Sequence, residues 1–267
     1  MKLIIEHTTH YQYEDAVRQS IQYLRLTPKD SAHQKIHKWQ VSMPGNVSES
    51  TDAYGNILHV LTLDEPHHEI CLRVKGEVEI LKKEAEDCDR RLSPFAYLRT
   101  TTLTQANGAI KAFSDEYLTD ASLSSLTHMM EALLQAMPYS PGSTNAYDSA
   151  ADAFEKKSGV CQDHTHVFLS ACRYHGLPAR YVSGYLYTPD IEHVASHAWA
   201  EVWLDDQWHT FDVTNGLTSP DQHIKLAVGL DYLDACPVRG VRTGGGNETM
   251  KAVAKVDKVS LSLAIQQ

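Results

Sequence analysis

In the stretch SGVCQDHTHVFLSACRYHG, Cys161 sits two residues after Gly159 and at the head of a long, mostly apolar run that stops at His175-Gly176-Leu177-Pro178. A thiol at the start of a helix faces backbone N–H groups with no intrahelical acceptor and the positive end of the helix dipole; both favour the thiolate. It works as a nucleophile when a base lies within hydrogen-bond reach and a third group orients that base. Two plainer readings compete. Cys161 can ligate a metal with His164 and His166, but positions i, i+3 and i+5 of a helix do not share a face, and zinc sites favour two well-spaced ligand pairs. It can also be buried packing, the reading that suits Cys172 in mid-helix.

The segment SHAWAEVWLDDQWHTFDVTNG supplies the base and its orienter. In the strand that opens at His197, alternate residues His197, Trp199, Glu201 and Trp203 share a face; in the next strand Trp208, Thr210 and Asp212 share one. An even loop sets Trp203 opposite Trp208 and Trp199 opposite Asp212, so that His197 lies diagonal to Asp212 on one face. An odd loop separates them. His209 alternates to the face opposite Asp212, and His193 precedes the clear strand pattern, so both are weaker bases. Asp205 and Asp206 read as turn residues. The three tryptophans are hairpin packing, with Trp199 also placed to line an acyl-donor slot beside the base.

Residues 1 to about 80 must position this chemistry from a β-rich region. KLIIEHTTHYQYE alternates in part, SIQYLRLTP and HKWQVSMPG follow, Tyr54-Gly55-Asn56 marks a turn between two strand-like runs, and ICLRVKGEVEIL alternates cleanly. This predicts a small antiparallel β-sandwich. The charged segment 82–94 lacks apolar periodicity and ends in Ser-Pro, which makes it a linker between domains at 1–85 and 95–267. Helices are expected over 103–157, the third ending at Gly159, and a fourth over about 162–175. Strands ARYVSGYLY, SHAWAEVWL and QWHTFDVT follow, then a tail whose glycine-rich piece PVRGVRTGGGN lacks the strand-to-helix setting of a phosphate loop.

With 267 residues, 42% hydrophobic and 22% charged, the chain has the composition of a soluble globular protein with two domains. Its formal net charge of -10, with no basic stripe, argues against nucleic-acid and anionic-membrane partners. MKLIIEHTTHYQYED turns polar too early for a signal-peptide core, and five scattered cysteines without a close pair fit reduced thiols; a cytoplasmic location is expected.

Taken together, these pieces resemble the bacterial transglutaminase-like proteins, a family also described as cysteine peptidases. The matching residues are Gly159-Val160-Cys161-Gln162-Asp163 with His166, then His197-Ala198-Trp199-Ala200-Glu201-Val202, then Asp212 with Thr214-Asn215-Gly216. Tyr139 with Pro141-Gly142-Ser143-Thr144 and Pro237-Val238-Arg239-Gly240-Val241 add to them, as do Tyr11, Tyr13, Leu24-Arg25-Leu26-Thr27-Pro28 and Asp52 with Tyr54-Gly55-Asn56 in the first third. The resemblance implies an α+β protein: an amino-terminal β-sandwich, then a transglutaminase or papain-like catalytic domain in which a helix bearing Cys161 packs on an antiparallel sheet bearing His197 and Asp212. It implies Cys161 as nucleophile, His197 as general base and acid and Asp212 as its orienter. Tyr139, Gln162 and Trp199 become substrate or oxyanion candidates, and Asp163, His166 and Asn215 supporting residues. The implied chemistry is acyl transfer or amide hydrolysis through a thioester on a peptide, protein or small amide, with no cofactor and no metal. A binding module that keeps the fold without turnover is the alternative. Two departures stand out: Asp212-Val213-Thr214 where the family often has Asp-Pro-Thr, and Gly229-Leu230-Asp231-Tyr232 where it often has Gly-Arg-Asp-Tyr.

Overall fold

The computed structural model describes residues 1–81, 85–87, 92–143, 145–189 and 196–259. Cys88, His193 and most of the expected linker lie outside the described residues. The elements run β1 (Lys2–Leu24), β2 (Gln34–Ser42), β3 (Asn46–Thr51), β4 (Ile57–Leu63), β5 (His67–Ile80), β6 (Ala85–Asp87), α1 (Gly108–Tyr117), α2 (Leu123–Ala136), α3 (Ala150–Lys156) and α4 (Cys161–Tyr174). Then come β7 (Ala179–Leu186), β8 (His197–Leu204), β9 (Gln207–Phe211), β10 (His223–Gly229), α5 (Tyr232–Ala235), β11 (Val238–Gly244) and β12 (Glu248–Lys258).

β1 organises the first sheet. KLIIEHTTHYQYE and SIQYL, which read as two runs in sequence, form one strand of 23 residues. Its first part pairs with β5 on one side and β12 on the other; its last part pairs with β4 and β11. The register on both flanks shifts near Gln12 to Gln19, as at a β-bulge, so Glu14-Asp15-Ala16 bends the strand instead of ending it. The result is a seven-stranded antiparallel sheet, a curled half-barrel that takes the place of the expected sandwich. Its buried residues Val17, Leu24, Leu61, Ile70 and Leu72 form one core cluster. Because β11 and β12 come from the carboxyl-terminal tail, strand pairing crosses the charged segment at 82–94.

The second sheet has the order β10-β7-β8-β9-β6, with antiparallel neighbours throughout. On one face lies α4, buried from Asp163 to Arg173, as expected of a helix enclosed on all sides. Small residues Ala198, Ala200 and Val202 of β8 share its core cluster with Val167 and Phe168, and the Phe168 and Phe211 rings lie 5.3 Å apart. Asn107, Ser122 and Ser149 cap α1, α2 and α3. α3 ends at Lys157, in the left-handed region at φ 52°, and not at Gly159 as the sequence suggested. Gly159 instead bridges Tyr139.

Two side-chain amides join the sheets at the edge of β10. Gln34 donates to Lys225 O (2.9 Å) and accepts from Lys225 N (2.8 Å), while Asn56 donates to Val228 O (2.7 Å) and accepts from Val228 N (2.9 Å). Each amide does what a neighbouring strand would do for an edge. Asn56 is itself set by Asp52, whose carboxylate accepts from Asn56 N and Nδ2 and from Arg25. Leu3, Ile5, Tyr185, Ile224 and Leu226 form an apolar cluster between the sheets. Among the described residues no helix is long and apolar enough to cross a membrane.

Candidate active site

Helix α4 begins with its cysteine for local reasons. Val160 is extended (φ -108°, ψ -177°), His164 N–H closes the first turn on Val160 O at 3.1 Å, and Cys161 is the first helical residue. Asp163, at the third helical position, accepts from Val160 N–H at 2.8 Å and supplies a negative group at the positive end of the helix. That carboxylate explains the glycine: a Cβ on Gly159 would lie 2.6 Å from Asp163 Cβ. Cys161 is half-buried, whereas Cys172 is fully buried and its thiol is pushed far above the ordinary range by burial, as suits inert packing.

The β8–β9 hairpin turns on Asp205 and Asp206, at φ 50° and 61°, a two-residue loop that aspartates tolerate. This is the even loop that the alternation required: Trp203 pairs with Trp208, and the register carries on to Ala200 with Phe211. His197 Nε2–H donates to Asp212 Oδ2 at 2.7 Å. With Nε2 so engaged, Nδ1 is the ring nitrogen left to face the Cys161 thiol, which lies near enough for its charge to act on the ring. The sheet face on α4 is that of Ala198, Ala200 and Val202; His197 and Asp212 belong to the alternate set and meet Cys161 at the end of the sheet, not on the face beneath the helix.

Burial alone would lower the His197 pKa, but the hydrogen bonds and charges of Asp212 and Cys161 outweigh it and push it up to about 10. Burial alone would raise Asp212; the two imidazoles it accepts from hold it well below the usual carboxylate range. The second imidazole is His223, at the start of β10, whose Nε2 lies 2.9 Å from Asp212 Oδ2. In sequence His223 opens HIKLAVG, a stretch of the tail with no motif to mark it. His223 reaches the site because β10 pairs with β7, setting His223 opposite Leu186, a choice no local pattern announces. His197, Asp212 and His223 offer ligand atoms within 4.8 Å of one another. Both imidazoles contact one carboxylate oxygen at 2.7 and 2.9 Å, the spacing of shared protons, so hydrogen bonding accounts for the cluster without an ion.

The other candidates fall in distinct places. Asn215 Nδ2 donates to Asp212 Oδ2 at 2.9 Å and its N–H faces Oδ1 at 3.3 Å, which puts it over the His197–Asp212 pair. The tight turn behind it closes through Asp212 and Leu217, with Gly216 at φ 63°. Trp199 is fully buried, 6.1 Å from the His197 ring and 4.8 Å from the His223 ring, so that it floors both imidazoles. Tyr139 is exposed and lies near the thiol; desolvation and then the Cys161 charge raise its phenol. Gln162 gives its amide N–H to Ala146 O at 3.1 Å, tying the preceding loop to the helix start. His166 does not approach Asp212: its Nε2 accepts from Tyr232 N–H at 3.1 Å, and burial lowers its pKa to about 3. His164, two residues earlier, does the bracing instead, with Nε2 on Met137 O (2.7 Å) and Nδ1 on Thr214 Oγ1 (2.9 Å).

Both departures are buried. Val213 packs in the core of α4 and leaves Asp212 in place, while Leu230 clusters with Tyr97 and Trp208 and offers its carbonyl to Arg173 at 2.7 Å.

On this α+β scaffold a thiol at a helix start lies beside an imidazole that is hydrogen-bonded to a carboxylate. Residues 3–79 match the bacterial transglutaminase-like N-terminal region, and residues 111–213, which include Cys161, His197 and Asp212, match the transglutaminase-like superfamily. The chain belongs to that superfamily. An uncharacterized protein of Mycobacterium leprae is 28% identical over 284 residues, covering 97% of this chain and 99% of that protein. One of Mycobacterium tuberculosis is 27% identical over 270 residues, covering 89% and 86%. The solved structure titled "Putative Cysteine Protease" from Cytophaga hutchinsonii shares the fold, with a TM-score of 0.73 over 99% of this chain and 92% of that one at 21% identity.

Proposed function

We propose that the protein is a cysteine-dependent acyltransferase or amide hydrolase that works through a thioester on Cys161. The observation that carries this reading is the arrangement itself: Cys161 at the head of a buried helix, its thiol beside His197, and His197 on Asp212 at 2.7 Å. An imidazole held protonated beside a thiol is the partner of an imidazolium–thiolate pair. The thiolate attacks an amide carbonyl, forming a C–S bond and a tetrahedral oxyanion. The Cys161 N–H at the helix start supplies one oxyanion donor, and Tyr139 is the candidate for the second. His197 gives its Nδ1 proton to the leaving nitrogen as the C–N bond breaks. Water or an amine then attacks the thioester, His197 takes its proton, and the C–S bond breaks to return the thiolate. A peptide, protein or small amide is the substrate class. A reducing cytoplasm suits a site that works as a free thiol.

The test is iodoacetamide labelling at pH 6, located by mass spectrometry, in wild type, Cys161→Ala and His197→Ala, followed by a screen of amide substrates. Selective labelling of Cys161 over half-buried Cys71, lost in His197→Ala, supports the reading. If Cys161 labels no faster than Cys71 and His197→Ala changes nothing, the pair does not operate and a non-catalytic binding module takes its place.

A further inference from the structure

Asp212 Oδ2 carries three donors: His197 Nε2 at 2.7 Å, His223 Nε2 at 2.9 Å and Asn215 Nδ2 at 2.9 Å. An oxygen so surrounded is a fixed anion, not a base waiting for a proton. Asn215 is exposed and His197 is 11% exposed, but the side chain of His223 is 0% exposed. A carboxylate only accepts, so the His223 proton sits on Nε2, and its buried Nδ1 has no hydrogen-bond partner among the described residues. The titratable groups facing this cluster are Asp212 after β9, His197 and Glu201 on β8, and Cys161 and His164 on α4. Burial lowers the pKa of His223 in spite of Asp212, while His197 rises on the same oxygen. A proton on Nδ1 as well would be a buried donor with no acceptor among the described residues, so the geometry suits a neutral His223.

We infer that His223 is a positioning residue: a neutral imidazole that donates Nε2–H to Asp212 Oδ2, fixes the carboxylate, and so keeps His197 turned with Nδ1 toward Cys161. This rests on Cys161 being the nucleophile. It also gives the amino-terminal region a part in the site, because Gln34 and Asn56 hold the edge of the strand that His223 begins. Carboxylate and imidazole then form a relay of orientation from β10 through Asp212 to His197, in the way that outer groups orient reacting ones elsewhere.

The test compares the rate of Cys161 alkylation from pH 5.5 to 9 in wild type, His223→Leu and His223→Gln, with thermal melts of each. Glutamine can return an N–H near the Nε2 position; leucine cannot. His223→Leu should lose about tenfold in rate at pH 6 while approaching the wild-type rate at pH 9, and His223→Gln should restore most of the loss. A packing role alone would lower the melting temperature and scale the whole profile by one factor. In ring nitrogen NMR of the wild type, His223 should show the neutral Nε2–H form while His197 is protonated, a readout that stands even where His223→Leu fails to fold. The inference is overturned if His223→Leu keeps the wild-type profile, if His223 is protonated together with His197, or if EDTA abolishes the low-pH reactivity and Zn2+ restores it, which would make His223 a metal ligand. Absence of low-pH reactivity in the wild type would instead sink the nucleophile reading itself.

Discussion

Asp212→Asn removes the charge of the buried carboxylate at nearly constant shape. In the wild type, His197 is pushed up to about 10 because Asp212 and Cys161 outweigh the burial that opposes its charge. The amide keeps one oxygen for the donors of His197, His223 and Asn215 and brings no negative charge. With burial then opposed chiefly by the thiol, His197 should fall to about its free value of 6.5 or below. That is a change of roughly 3.5 units, or about 4–5 kcal/mol at ~1.36 kcal/mol per unit. At pH 7.5 the imidazole should go from about 99% protonated to about 10% or less. The sign follows from the raised value: the protonated state is favoured by the fold, and the substitution withdraws what favours it. The assay is a ring nitrogen NMR titration of His197 from pH 5 to 11 in both proteins, with Cys161 alkylation measured in parallel. A His197 that still titrates above about 9 in Asp212→Asn would refute the assignment of its charge to this carboxylate.

Two further outcomes follow from the same accounting of buried polar groups. His7, bonded to Tyr185 at 2.7 Å, and His166 are lowered by burial to about 4 and about 3, so the unfolded chain binds their protons near 6.5 while the folded chain does not. Their contribution to stability is therefore present above pH 6.5 and lost as the pH falls toward 4; between pH 6.5 and 5 the two should cost about 3 kcal/mol together, read from urea titrations, and an unchanged unfolding free energy would refute their neutral burial. Asn56→Ala strips a donor and an acceptor from Val228 at the edge of β10 and should cost about 2–4 kcal/mol, with a loss under 0.5 kcal/mol showing that water replaces the amide.

Much of the site was legible in the sequence because its geometry is local. The position of Cys161 follows from a helix start, and the meeting of His197 with Asp212 follows from strand alternation and an even turn at Asp205-Asp206, which a one-residue change in loop length would reverse. Where local rules misled, two local solutions were available and packing chose between them. Glu14-Asp15-Ala16 could end a strand or bulge it, and the partners on both flanks of β1 made it a bulge. Gly159 could cap α3, but Lys157 takes the left-handed position and Asp163 claims the space beside the glycine.

By itself, then, the sequence determined the elements that carry Cys161, His197 and Asp212, since periodicity, caps and turns act over a few residues. Only the tertiary structure decided which distant strands pair, because those choices depend on burial summed over whole faces. The pairing of β10 with β7 brings His223 to Asp212, and the pairing of β11 and β12 with β1 carries the tail of the chain back to its beginning.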